Sequence, residues 1–153
     1  HSRYNHTALE AIEELRVEDL LETGTLAGKQ LRGANWQDAN LYRADLRETD
    51  LRNAILTNAD LVEANLEGAD VTEEQLVSTR IMLGAIMPDG KRYNGRYNLK
   101  GDLALAFRRK FDVGSPEDMA EYYGVSFKDY TDGQDWAQFY LARLKGRSGV
   151  SKS

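Results

Sequence analysis

The chain of 153 residues contains no cysteine, two histidines and two prolines. Without cysteine it can form neither a disulfide nor a thiolate metal site. His1 and His6 both lie near the start of the sequence, which disfavours a histidine-based triad or zinc site. There is no apolar run of the roughly 18 residues that a membrane span needs, and no signal-peptide pattern. These absences predict a non-catalytic chain with no catalytic, cofactor-binding or metal-binding residues and no membrane span.

The formal net charge of −5 is unevenly distributed along the chain. Residues 1–78 carry 7 Lys and Arg against 16 Asp and Glu, and residues 79–153 carry 13 against 9, so the two parts have net charges of −9 and +4. Parts of opposite charge can dock on each other or recruit different partners. Both interpretations stay open, and docking within the chain is the simpler one.

Residues 24–78 repeat with a period of five. Written in fives from Gly24, they read GTLAG KQLRG ANWQD ANLYR ADLRE TDLRN AILTN ADLVE ANLEG ADVTE EQLVS, eleven units without a gap. The third position is large and apolar: Leu26, Leu31, Trp36, Leu41, Leu46, Leu51, Leu56, Leu61, Leu66, Val71 and Leu76. The first position is small in most units: Ala34, Ala39, Ala44, Ala54, Ala59, Ala64 and Ala69, with Thr49 as the exception inside the run.

A period of five suits neither an α-helix nor a flat strand. Five residues advance about 500° around a helix, which would distribute the leucines over every side. In a flat strand an odd period would send alternate leucines to opposite faces. A corner every five residues, with the Asp or Asn before the leucine as the turn-tolerant residue, would instead direct every Leu and Ala to a shared axis. The sequence therefore predicts a coil.

The pattern A-(D/N)-L-x-x resembles the pentapeptide-repeat family. Ile55 breaks the pattern, and the second-position residues that carry it are Asn35, Asn40, Asp45, Asp50, Asp60, Asn65 and Asp70. The resemblance implies a mainly β fold class, a right-handed quadrilateral β-helix with twenty residues per coil, so that residues 24–78 would form about 2.75 coils. Repeats followed by a Pro-Asp-Gly turn are similar to small cyanobacterial and plastid members of the family.

The flanking residues predict an α-helical cap before the coil and an α-helical segment after it. Residues 1–23 are the predicted N-terminal cap, opened by a capping box at Thr7 and Glu10. Residues 79–98 are a predicted connector with a turn at Pro88-Asp89-Gly90 and a hairpin at Asn94-Gly95. Residues 146–153 are predicted to be disordered.

Residues 99–145 form the predicted C-terminal helical segment. The first helix is placed from Lys100 to Phe111 and the last from about Asp132 to Lys145. Between them, Ser115 is the predicted N-cap of a helix that starts at Pro116, and Gly124 follows its end at Tyr123. Apolar residues of these helices can form a small core or cover the open end of the coil.

The function that these features favour is protein–protein interaction or scaffolding, with an unidentified protein partner and an open oligomeric state. Ile55 occupies a position that is usually Asp or Asn, and Tyr42 is expected to stack under Val62. The alternative is that these residues pack under the chain's own C-terminal helices. The predicted interaction surface comprises Tyr42, Ile55, Val62, Arg43, Glu63, Tyr93 and Tyr97.

A second interpretation is interaction with nucleic acid or a topoisomerase, through the acidic coil or the basic C-terminal segment. Some members of the resembled family mimic duplex DNA and bind type II topoisomerases. Here Arg32, Arg43, Arg47 and Arg52 interrupt the acidic outer positions, which disfavours such mimicry. Residues 91–100 interleave basic and aromatic side chains, as nucleic-acid binders do. Nucleic acid is the less favoured partner.

The compartment predicted by default is the cytoplasm. The sequence begins at His1 and not at Met, so a lumenal or periplasmic location stays open.

Overall fold

The computed structural model describes residues 8–13 and 21–147. The capping box at Thr7, the histidines His1 and His6, and most of the predicted tail lie outside the described residues. The helices are α1 (residues 8–13), α2 (Glu73–Val77), α3 (Lys100–Arg108), α4 (Pro116–Tyr123) and α5 (Phe127–Arg147). The repeat coil, residues 24–88, contains α2 and lies between α1 and α3.

Each corner of the coil is made by two residues of the repeat. The fifth residue of the first nine units has left-handed backbone, with φ from 57° to 74° at Gly28, Gly33, Asp38, Arg43, Glu48, Asn53, Asn58, Glu63 and Gly68. The second residue supports the corner with its side chain: Asn40 Oδ1 accepts the N–H of Tyr42 at 3.2 Å, and Asp60 Oδ1 accepts that of Val62 at 2.9 Å. The Asp or Asn of the second position was the predicted corner residue, whereas the left-handed residue is the fifth.

Successive circuits of the coil, here called layers, stack directly on one another. Parallel bridges pair residue n with residue n+20, as in Asn40 with Asp60 and Asp45 with Asn65. The third-position N–H donates to the next layer, as Leu41 N does to Asp60 O at 2.8 Å. The third-position leucines thereby lie above one another inside the coil, where those from Leu41 to Leu66 are fully buried. Burial of each such side chain contributes about 1.5–3 kcal/mol.

The predicted fold class, a mainly β quadrilateral β-helix, is wrong. The described residues contain no β-strand and no sheet, because the layers meet only through isolated bridges of one residue on each side. The regular secondary structure in the described part of the chain is α-helical. The physical reason is the left-handed fifth residue, which ends the extended backbone before a ladder of consecutive pairs can form.

The stacking offset changes from 20 to 21 residues where α2 replaces one side of the coil. Asp60 bridges to Ile81 and Asn65 to Ile86. Thr72 and Gln75 form a capping box that starts α2. The side-chain amide of Gln75 also donates to Leu51 O at 2.7 Å and Ala54 O at 2.8 Å. The Gln75 side chain thus donates hydrogen bonds to two carbonyl groups of the layer below that the backbone of α2 cannot reach.

The stacking continues beyond Ser78. Leu66 N donates to Ile86 O at 2.9 Å, and Gly68 N donates to Pro88 O at 2.9 Å. An antiparallel bridge joins Ile86 to Arg92 around the Pro88-Asp89-Gly90 turn. The predicted hairpin at Asn94-Gly95 is therefore wrong. Gly95 instead lies against the ring of Tyr123, where a Cβ atom would approach Cε2 to 2.4 Å.

Helix α3 closes the last layer of the coil. Gly101 N donates to Arg80 O at 3.0 Å, with the same 21-residue offset as the layer below. The carboxylate of Asp102 accepts the N–H groups of Met82 at 3.2 Å and Leu83 at 3.1 Å. In lower layers a carbonyl and an Asn or Asp side chain accept these two N–H groups. Ile81 has no side-chain oxygen to accept the N–H of Leu83, and no further layer offers a carbonyl to the N–H of Met82. The carboxyl group of Asp102 therefore accepts both N–H groups.

The C-terminal helices follow the predicted order with shifted ends. Helix α4 has the predicted Ser115 cap and ends at Gly124, whose φ is 69°. Helix α3 ends before Lys110, whose φ of 71° interrupts it, so the predicted end at Phe111 is too long. Helix α5 starts at Phe127, five residues before the predicted Asp132, because Ser126 Oγ accepts the N–H of Asp129 at 3.0 Å and caps the added turn.

The contact between α3 and the coil predicts that Gly101→Ala destabilises the protein. Alanine normally stabilises a helix relative to glycine. Here its Cβ atom would lie 2.5 Å from Arg80 O, so the helix would have to move off the coil. We expect a loss of about 1–3 kcal/mol in the free energy of unfolding, measured by urea denaturation.

Gly146→Ala is the matched control for this prediction. Gly146 lies in α5 and a Cβ atom there would meet nothing within 4 Å. We expect it to leave stability unchanged or raise it by up to about 1 kcal/mol. Equal effects of the two substitutions would contradict the close approach of α3 to the coil.

Candidate interaction surface

Because the layers stack, the outward fourth position of each unit forms a column on each side of the coil. Two of the columns are polar or charged, namely Arg32 with Arg52 and Gln37 with Thr57, and a third places Arg47 and Glu67 between Ala27 and Pro88. The remaining one consists of Tyr42, Val62 and Leu83, and is here called the apolar column. Tyr42 is 37% exposed, and Val62 and Leu83 are half-buried.

Backbone hydrogen bonds hold the apolar column in register. Arg43 N donates to Val62 O at 2.8 Å, and Glu63 N donates to Leu83 O at 2.9 Å. The column is therefore presented by three hydrogen-bonded layers and not by a loop.

Charged residues border the apolar column on both sides. Along the corner, Arg43 Nε lies 3.6 Å from Glu63 Oε1 and 3.9 Å from Glu22 Oε1. Along the other border, Arg80 Nη2 lies 3.3 Å from Asp60 Oδ2. An apolar strip within a charged rim is the usual composition of a protein–protein contact surface.

The structure brings together four of the seven predicted surface residues. Tyr42, Val62, Arg43 and Glu63 lie on one side of the coil. Ile55 is 43% exposed but belongs to the neighbouring side, where it bridges to Asn35. Tyr42 and Ile55 are not covered by the C-terminal helices, since both are exposed.

Tyr93 and Tyr97 are not part of any surface, because both are fully buried. Tyr97 Oη donates to Glu73 Oε1 at 2.6 Å, and burial raises the pKa of the Tyr97 phenol well above its usual range. The guanidinium of Arg96 donates to the same carboxylate and lies 5.2 Å from the ring centres of both Tyr97 and Trp136. This cluster connects α2 to α5.

The basic and aromatic residues of segment 91–100 are thus largely used inside the protein. Arg92 Nε donates to Tyr123 O at 2.9 Å, and Arg96 is paired with Glu73. Their spacing in the sequence indicated a possible nucleic-acid surface. In the structure, segment 91–100 is instead part of the cap over the coil.

The buried carboxyl group of Asp102 is the most perturbed acid near the apolar column. Asp102 is 0% exposed, and burial raises the pKa of its carboxyl group to about 7, while the N–H groups of Met82 and Leu83 act in the opposite direction. An enclosed group of this kind cannot reach a substrate, so its role is to close the coil.

Across the described ranges there is no cluster of three or more His, Asp or Glu that could hold a metal ion.

Sequence reasoning missed Leu83 and Asp102. The signal for Leu83 is present in RIMLG AIMPD, two further units with Met82 and Met87 in the third position and Ala85 in the first. The extra residue at α2 shifts these units out of the frame of fives, which concealed them. The sequence around Asp102 does not indicate its role, because the N–H groups that donate to it lie about 20 residues earlier.

A family model described as pentapeptide repeats matches residues 26–61 and 39–73, with eight copies. No curated protein and no solved structure gives a significant match to the chain. None of the helices in the described part of the chain is long and apolar enough to cross a bilayer.

The raised pKa of Asp102 predicts that the free energy of unfolding falls as pH rises from about 4 to about 7. In this window the folded protein holds a proton that the unfolded chain releases, since the pKa is about 7 in the folded state against 3.8 for an unperturbed Asp. We expect a decrease on the order of a few kcal/mol, and a flatter profile for Asp102→Asn. Urea denaturation at a series of pH values measures both.

Asp135→Asn serves as the control, because Asp135 is an exposed acid on α5. The free energy of unfolding of Asp135→Asn should depend on pH as that of the wild type does. A wild-type slope that persists in Asp102→Asn would assign the pH dependence to another group.

Proposed function

We propose that this member of the pentapeptide-repeat family, whose matched repeats span residues 26–73, is a non-catalytic protein–protein interaction module. The apolar column is its contact face. The observation that carries the proposal is that one outer column, Tyr42 with Val62 and Leu83, is apolar in three successive layers, whereas each of the other three columns contains polar or charged residues.

The rigidity of the column favours binding. Its residues are held by hydrogen bonds between layers, so little conformational entropy is lost when a partner docks. Tyr42 offers a large apolar ring with a polar tip, a side chain enriched in contact surfaces. The charged rim formed by Arg43, Glu63 and Asp60 would orient the partner.

The small size of the column limits the kind of contact. Three side chains in a strip suit one helix or extended segment of a partner protein, and an interface of this size is typical of transient complexes. We therefore expect a scaffolding role in which the partner binds and dissociates readily.

The nucleic-acid alternative has less support. Arg92 and Arg96 are engaged with Tyr123 O and Glu73. On the coil, Arg32 and Arg52 both pair with Asp50, and Arg47 pairs with Asp45, so acids and bases alternate on the outer surface. Neither region presents the field of one sign that binding to a polyanion or mimicry of one requires.

Affinity capture from a lysate of the source organism tests the proposal with Tyr42→Glu combined with Val62→Lys. The matched control is Gln37→Glu combined with Thr57→Lys, which makes the same net change of charge in the fourth position of the neighbouring side. We expect a protein captured by both the wild type and the control and lost from the apolar-column variant. Circular dichroism establishes that both variants remain folded.

Two outcomes would contradict the proposal. One is a partner that binds the apolar-column variant as well as the wild type. The other is a partner that both variants lose equally, which would mean that the charges and not the column decide binding.

A further inference from the structure

A second surface lies where α3 ends, far from the apolar column in sequence. Residues 107–111 read Phe-Arg-Arg-Lys-Phe. Phe107 is 72% exposed, and Arg108, Arg109 and Lys110 are exposed beside it.

An open surface cavity of about 660 Å³ lies beside these residues. Its lining consists of Phe107, Arg108, Lys110, Phe111 and Asp112. Phe111 is half-buried and fixed by an edge-on contact with Tyr122, at 5.5 Å between ring centres. The cavity therefore combines a fixed aromatic wall at Phe111 with an exposed aromatic rim at Phe107 and is large enough for a large apolar side chain.

The cations at this cavity are not neutralised within the described residues. Neither Arg108, Arg109 nor Lys110 has a carboxylate within 4.0 Å in the described part of the chain. The arginines of the coil differ, since each pairs with an Asp or Glu: Arg32, Arg43, Arg47, Arg52 and Arg80.

The backbone of Lys110 adds an independent observation. Its φ of 71° lies in the left-handed region, and Phe111 N donates to Ala106 O at 3.0 Å, as at helix ends where glycine is preferred. Outside the coil, Asn98 and Lys110 are the described non-glycine residues with positive φ. A lysine here costs conformational energy relative to glycine, so that Lys110→Gly has an expected effect on stability that is separate from its effect on charge.

We propose that the cavity at the end of α3 binds an acidic segment of a partner protein, with a large apolar side chain inserted between Phe107 and Phe111. The three cations would pair with carboxylates that flank that side chain. The site is separate from the apolar column and does not depend on the function proposed for it.

An acidic protein segment fits the cavity better than other anions do. Asp112 in the lining repels any anion, and so disfavours a densely charged polyanion such as a nucleic acid more than a segment with only a few carboxylates. Three cations over consecutive residues match a few carboxylates and not a long phosphate run.

The test pans a library of random peptides against the full chain and measures the selected peptides by fluorescence anisotropy. We expect selected peptides to combine acidic residues with a large apolar one. Arg108→Gln with Lys110→Gly should weaken their binding about tenfold, and Phe107→Ser by a similar factor. Raising the salt concentration should weaken binding to the wild type.

Matched controls separate the site from general charge and hydrophobicity. Lys91→Gln with Lys100→Gln removes two exposed cations elsewhere, and Phe139→Ser removes a phenylalanine that is 70% exposed. Both should leave affinity unchanged. Lys110→Gly alone should keep or raise the midpoint of thermal unfolding while it lowers affinity.

The proposal is overturned if no peptide is selected, if selected peptides show no excess of acid, or if the controls weaken binding as much as the site variants do. Binding of oligothymidylate, or of vesicles of phosphatidylcholine and phosphatidylserine, that exceeds peptide binding and depends on the same residues would overturn it in favour of those partners. A fall in the unfolding midpoint of Lys110→Gly would contradict the argument from backbone strain.

Discussion

Each layer of the coil has third-position N–H groups that stay unpaired until another layer lies above them. Since an unpaired buried N–H group is costly, the stack needs a defined end. Helix α3 supplies it: Gly101 donates to the layer below, and Asp102 accepts the N–H groups of Met82 and Leu83. The buried carboxyl group is thus a substitute for the missing next layer, and its environment follows from that position.

The same stacking organises the outer surface. Residues at equivalent positions lie above one another, so the surface chemistry is set column by column. Asp and Arg in neighbouring columns form ladders such as Arg32, Asp50 and Arg52. Such exposed pairs contribute little to stability individually but keep the polar sides solvated. Against these sides, the column of Tyr42, Val62 and Leu83 stands out as a surface suited to a partner. The basic cavity at the end of α3 differs from this column in chemistry, and we propose the two as separate contact surfaces of a scaffold.

The local part of the fold could be predicted from the sequence. The family resemblance is confirmed by the match over residues 26–73, and the third-position leucines form the core. Helix α4 has its predicted limits because its signals, Ser115, Pro116 and Gly124, are local. The sequence also placed Tyr42 with Val62 on one side, since the repeat fixes that spacing.

The remainder depends on contacts distant in sequence. The fold class was wrong because a five-residue side with a left-handed corner is too short for a strand. The shift in register at α2 depends on Gln75 reaching carbonyls of Leu51 and Ala54, which the pattern of fives does not reveal. Tyr93 and Tyr97 were assigned to the surface because spacing alone does not tell an exposed aromatic residue from one that packs under a later helix.

Amide hydrogen exchange of the folded protein, followed by NMR, tests most directly whether the apolar column is a rigid preformed surface. We predict strong protection of the amides of Arg43 and Glu63, whose hydrogen bonds join the layers under the column. We predict the same for the amides of Met82 and Leu83, which donate hydrogen bonds to the carboxyl group of Asp102. The protection at Met82 and Leu83 should fall in Asp102→Asn. Rapid exchange at Arg43 and Glu63 in the wild type would show that the column lies on a mobile segment and would contradict the account.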